Sequence, residues 1–317
     1  MSSGGVRRVA RWLLGLIAVA LLLAAVASQW DAVVDGFGQL DPLAVISAFL
    51  LVVSGLVANM LSWRAVLAGL GSRLPVPVAG RVYLLAQLGK YLPGSVWPVL
   101  AQAELGRDHG VPRLRSGVAA VAALVVGLTV GAVLAAGALA ATATAELRSY
   151  AWALLVVPAG LVLLHPRVLQ WLLDHAMRLM RRESQAHRVD GRALFESVAW
   201  SAAMWLLFGA HVWVLAASLG ASGAVVPVLS VGAYAAAWVV GFLFVFAPAG
   251  AGPREVVLVL ALSPVLPQGA ALALALTSRA LMLLGDLVSV GGAVLWARAN
   301  RAPMKHAPAA ASAEDGR

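Results

Sequence analysis

Cysteine is absent from the chain, which excludes disulfides, thiolate nucleophiles and cysteine metal sites together and leaves the redox compartment unreadable. Charge is scarce as well: Asp, Glu, Lys and Arg make up 12% of the 317 residues, against 62% hydrophobic residues. Among the basic residues only Lys90 and Lys305 are lysine. Soluble-enzyme signatures are missing too. There is no Gly-rich phosphate loop followed by Lys-Ser/Thr, no nucleophile elbow and no paired-His zinc motif. His165 and His211 stand apart from other ligand types and are read as packing or interfacial residues, so neither a metal nor a cofactor is expected.

What the chain does contain is apolar sequence in runs of about 20 residues, enough to span a hydrocarbon core of about 30 Å as helix. Isolated strands cannot satisfy their backbone in lipid, so each run is read as a helix. The spans predicted are 12–28, 43–68, 116–140, 148–164, 197–218, 225–246 and 269–296. The first follows Arg7, Arg8 and Arg11, but is longer than a signal-peptide core and is read as a retained span. The formal charge of +9 does not point to nucleic acid, because the basic residues lie mainly in links between apolar runs, as the positive-inside rule requires. The chain is therefore expected to be a multi-pass plasma-membrane protein with a cytoplasmic N-terminus. The link carrying Asp31, Asp35 and Asp41 is placed outside and the Arg-rich link 165–192 inside. Within that basic link, Val168, Trp171, Leu172 and Leu179 recur at helical spacing opposite Arg167, Asp174, Arg178 and Arg182, as in a surface helix; a solvated linker is the alternative.

Two segments break the pattern. Residues 81–107 are apolar but interrupted by Pro93, Gly94 and Pro98, and each leg is about half a bilayer long. Residues 246–264 hold Pro248, Gly250, Gly252 and Pro253 before another half-length stretch. Both breaks share a Pro-x4-Pro spacing, and each follows two spans and precedes a long one. The fold class expected is an all-α polytopic bundle of seven to eight spans with two re-entrant, Pro/Gly-broken elements. It forms one domain over 1–303, with a disordered tail at 304–317. Repeats over 12–140 and 197–296, joined by 148–192, fit the order of elements. The alternative is that Pro and Gly are simply common in membrane helices. Seven spans conflict with basic residues at both ends of the chain, and an eighth crossing at the second break restores agreement.

Ionised groups inside a bilayer are costly and need a partner or a polar cavity, and here they cluster on the broken elements. Lys90 precedes Pro93-Gly94, and Glu104 and Arg107 lie on the outgoing leg, with snorkelling as the alternative for Lys90 and Arg107. Arg254 and Glu255 open the half-helix after the second break, where an anion such as phosphate is favoured. Arg279 and Asp286 lie seven positions apart on one face of the last span. The pairing expected is Arg279 with Glu255 and Asp286 with Arg254, a structural ion-pair role being the alternative.

KYLPGSVWP at 90–98 and PAGAGPRE at 248–255, with Arg279 and Asp286 on the last helix, resemble the transmembrane-region family named after lysylphosphatidylglycerol synthetases. The similarity covers roughly residues 10–300. Lys90, Tyr91, Pro93, Gly94 and Trp97 match its first motif and Pro248, Gly250, Gly252, Arg254 and Glu255 its second, where Ala249 stands in place of the usual Gly. An acidic residue often found in the family after the first motif is not seen in GVAAVAALVVGL at 117–128. In two-part members this region is associated with moving aminoacylated phosphatidylglycerol between leaflets, while a soluble domain makes that lipid. No such domain is seen here. The resemblance implies a flippase-like transporter of a phospholipid or lipid-linked anionic substrate, not an enzyme, with a separate lipid-modifying enzyme as a possible partner. Two alternatives stay open: a membrane glycosyltransferase with Asp31 or Asp35 as base, and a scaffold for a lipid synthase.

Overall fold

The computed structural model describes residues 30–91, 96–142, 155–165, 167–168, 170–171, 175, 190–244 and 248–299. The first span, the Pro93-Gly94 turn, the start of the 148–164 span, most of the basic link and the tail lie outside the described residues. In chain order the helices are α1 (Trp30–Gln39), α2 (Pro42–Gly69), α3 (Val76–Gln87), α4 (Trp97–Arg107) and α5 (Arg113–Thr142), then α6 (Val156–Leu163), α7 (Gly191–Ser218), α8 (Val226–Leu243), α9 (Pro253–Leu262) and α10 (Gln268–Ala299). No strand occurs among the described residues. Single 3-10 turns, Leu88–Tyr91 and Pro248–Gly250, sit at the two breaks.

Helices α2, α5, α7, α8 and α10 are long and apolar enough to cross a membrane. Their outer faces carry exposed apolar side chains such as Leu43, Leu50, Phe195 and Leu206, a surface that water disfavours and lipid accepts. The chain is a multi-pass membrane protein. Local signals set the helix limits. Asp41 caps α2 by accepting from the Leu43 N–H at 3.1 Å, with Pro42 in the first turn where its missing N–H costs nothing. At the other end Gly71 turns the chain with φ 87°, a conformation glycine adopts freely.

Interhelical contacts fix the directions of the long helices. The Asp41 N–H donates to Ser218 Oγ at 3.2 Å, while the Ser62 hydroxyl meets Ser197 Oγ and Ser201 Oγ at 2.9 and 3.0 Å. Helices α2 and α7 therefore run antiparallel, joined by buried hydroxyls where lipid offers no alternative partner. Small residues bring other pairs close. A Cβ at Gly232 would lie 2.1 Å from the Ala138 Cβ, so α8 and α5 touch almost backbone to backbone.

The broken elements come from opposite ends of this bundle. Arg115 donates to the Gly71 carbonyl and the Ser72 hydroxyl at 3.3 and 2.8 Å, and the Ser116 hydroxyl donates to the Gln102 carbonyl at 2.9 Å. The start of α3 and the end of α4 thus share one end with the start of α5. The second element, α8 to α9, enters at the other end, beside the junction of α2 with α7, and α9 packs back along α8. The two 3-10 turns meet between them. Basic residues sort the same way. Arg73, Arg107, Arg113, Arg115 and Arg192 lie at the first end, together with Glu104, Asp108, Asp190 and Glu196, while the second carries exposed Asp31, Asp35 and Asp41 and no Lys or Arg among the described residues.

Candidate functional site

A cavity of ≈ 370 Å³ opens where the two 3-10 turns approach each other. Its size comes partly from α5, which turns Ala120, Ala123 and Gly127 toward it at helical spacing. Trp205, Phe208, Trp238 and Phe242 form an aromatic wall from α7 and α8. The indole of Trp205 is held by donating Nε1–H to the Gly127 carbonyl at 2.9 Å.

Three cations line the cavity, Lys90, Arg254 and Arg279, and no carboxylate does among the described residues. Both nearby acids lie behind them. Asp286 is 2% exposed; its Oδ2 receives Lys90 Nζ at 2.6 Å and the Tyr91 hydroxyl at 2.5 Å. Glu255 is 3% exposed; its Oε1 receives Arg279 Nη1 at 2.7 Å and its Oε2 the Gly252 N–H at 2.7 Å. Charge-assisted bonds of this kind offset the desolvation of a buried carboxylate. Arg279 Nη1 also donates to the Ala249 carbonyl at 3.3 Å, which ties α10 to the second turn.

Arg254 differs from the other two. Its guanidinium donates to the Tyr234 hydroxyl and lies 4.7 Å from that ring's centroid, so its direct partner is neutral. Tyr234 is fully buried, with His211 edge-on against it at 4.9 Å, and His211 Nε2 pairs with Ser278 Oγ at 2.8 Å.

The backbone that presents Arg254 is held in an unusual shape. Ala249, Gly250 and Gly252 have φ of 50°, 70° and 93°. A Cβ at Gly250 would stand 3.0 Å from the Gly241 Cα, so this turn presses against α8 and tolerates no side chain there. Pro253 then opens α9, with Glu255 reaching back to the Gly252 N–H.

The expected pairing of Arg279 with Glu255 is present. The expected pairing of Asp286 with Arg254 is not: Asp286 takes Lys90 instead. Two helical turns beyond Arg279, Asp286 faces the incoming tip of the first element, where α3 runs antiparallel to α10 with Gly80 beside Ala293. Glu104 and Arg107 do not join the cavity. They pair with each other at 3.0 Å on the exposed end of α4, and Arg113 adds a second contact to Glu104 at 2.5 Å. Trp97 is 45% exposed at the start of α4. Pro93 and Gly94 lie outside the described residues, and Pro248 begins the second 3-10 turn. Asp31 and Asp35 are exposed on α1, away from the cavity.

Four lining groups carry no charge and fall outside the residues expected from sequence, Asn59, Tyr83, Gln87 and Gln102, as does Tyr234, which sits behind Arg254. Their signal was present, because an amide or phenol inside an apolar run needs a partner just as a charge does.

A family model describing the lysylphosphatidylglycerol synthase TM region matches residues 12–289. No curated protein matches the chain.

Proposed function

The chain belongs to the lysylphosphatidylglycerol synthase transmembrane-region family, and from that premise we propose that it is a flippase-like transporter which moves a lipid with an anionic headgroup across the plasma membrane. The observation that carries this reading is the cavity wall: Lys90, Arg254 and Arg279 line it, while Asp286 and Glu255 stand behind. A phosphate entering there meets Arg254 first, since its direct partner is a phenol and not a carboxylate. Broken helices meeting at a polar cavity are the means by which transporters expose irregular backbone to substrate and not to lipid.

In this reading the two broken elements are re-entrant hairpins from opposite sides. Four described helices then change sides, α2, α5, α7 and α10; counted with the runs 12–28 and 148–164, expected from sequence to cross, the reading has six crossings. Six puts both basic termini on one side, and the Arg-rich end of the bundle makes that side cytoplasmic. No chemical step is assigned to the protein. Asp31 and Asp35 lie apart from the cavity, so the sugar-transfer alternative gains no support. Lipid synthesis is left to a separate enzyme.

The test is leaflet exchange of labelled anionic phospholipid in proteoliposomes, wild type beside Arg254→Ala. A charge-assisted hydrogen bond is worth about 1.5–3 kcal/mol, so exchange should fall by about 10- to 100-fold in the variant. Equal exchange in the two proteins, or none in the wild type with any lipid, overturns the reading.

A further inference from the structure

The cavity is not uniformly charged. Its cations come from the first 3-10 turn, α9 and α10, whereas α2, α3 and α4 contribute three neutral amides, Asn59, Gln87 and Gln102. Gln102 is 3% exposed, and its Oε1 has no hydrogen-bond partner among the described residues. A buried acceptor left without a donor is unfavourable, and the deficit ends when a ligand supplies an O–H or N–H.

We propose that the amide wall is a subsite for hydroxyl groups, and that the lipid carried bears a phosphodiester joined to a polyol, of the glycerol or hexose type. This rests on the transport reading above. The phosphate sits against Arg254, and the polyol hydroxyls donate to Gln102 Oε1 and exchange hydrogen bonds with Asn59 and Gln87. An ammonium could also donate to Gln102, but it would share the cavity with Lys90, Arg254 and Arg279 and with no lining carboxylate. Asp286 and Glu255 already offset Lys90 and Arg279, so the charge felt in the cavity is that of Arg254, which repels the ammonium of an aminoacylated headgroup while attracting phosphate. A bare phosphate monoester satisfies the cations and leaves Gln102 unpaired. Hydroxyl recognition is what separates the polyol lipid from phosphatidic acid, since sites built to hydrogen-bond a hydroxyl discriminate strongly against the analogue without one.

The experiment is native mass spectrometry of the full chain in detergent. It is offered equal amounts of phosphatidylglycerol, phosphatidic acid and lysylphosphatidylglycerol with identical acyl chains, and each lipid is also run in the exchange assay. Wild type should retain phosphatidylglycerol over phosphatidic acid by about tenfold, the equivalent of one well-made hydrogen bond, and over the lysyl lipid by at least as much. Gln102→Leu should bring the first ratio to within about twofold while phosphatidic acid is still bound. Asn59→Leu, on a different helix, should lower it in the same direction and serves if Gln102→Leu does not accumulate. Equal retention of phosphatidylglycerol and phosphatidic acid by wild type, preference for the lysyl lipid, or a ratio untouched by both substitutions overturns the subsite. Displacement of phosphatidylglycerol by an equal concentration of free glycerol phosphate would reassign the site to a soluble polyol phosphate. The two readings fail separately. Headgroup-ordered binding without exchange removes transport alone, and Arg254-dependent exchange without that order removes the polyol subsite alone.

Discussion

The two broken elements each deliver one cation to the cavity, and they do so on opposite terms. Lys90, on the first, arrives already matched to a buried carboxylate, Asp286, which the Tyr91 hydroxyl also bonds. Arg254, on the second, lies over the neutral ring of Tyr234. The first cation belongs to the architecture as much as to the cavity, because Asp286 is 2% exposed and depends on it. The second has no carboxylate partner among the described residues. Proximity of positive charge to a cavity is therefore a poor guide to which residue does the binding; the partner already in place decides.

That contrast can be broken most sharply at Lys90. Lys90→Ala leaves Asp286 charged and buried, and should lower stability by about 3–5 kcal/mol in a detergent unfolding measurement. Restoring most of it in Lys90→Met/Asp286→Leu would assign the pair to structure; no recovery would mean that both groups are needed for another reason. Arg254→Ala leaves no buried charge behind and should cost less, about 1 kcal/mol for the cation–π contact and about 1–3 kcal/mol for the buried Tyr234 hydroxyl left unpaired, alongside the large loss of exchange. Gly127→Leu fills the cavity from a third direction. A Cβ there meets nothing within 4 Å, so the variant should fold normally and slow exchange of every headgroup alike, as read in the same vesicles. The smallest effect expected is at Ala249, whose φ of 50° is one that glycine adopts without strain. Ala249→Gly should raise the unfolding midpoint, by about 0.5–1 kcal/mol in free energy.

Much of this was legible in the residues. Apolar runs placed the long helices, the Pro-Gly clusters placed both breaks, and the partnership of Arg279 with Glu255 followed from the need to neutralise intramembrane charge. The partner of Asp286 was not legible. It depends on two elements entering from opposite ends and meeting at their tips, a relation between directions that no local pattern encodes. Glu104 and Arg107 misled because residues on a short leg look close to its tip in sequence, whereas α4 carries them three turns away to the exposed end. The amides stand out less than charges do in an apolar run, although an unpaired amide oxygen in an apolar surround is nearly as demanding.

The serine cluster between α2 and α7 bears on how such a molecule could move. Ser62 bonds both Ser197 and Ser201 well inside the bundle, and Ser218 holds the Asp41 N–H at its edge. Two long helices stapled at separate heights behave as a stator. They cannot slide or rock past each other without breaking bonds that lipid does not replace. On the transport reading, rearrangement is then left to the short, interrupted elements facing them, working against a fixed spine and not by swinging two halves of the bundle apart.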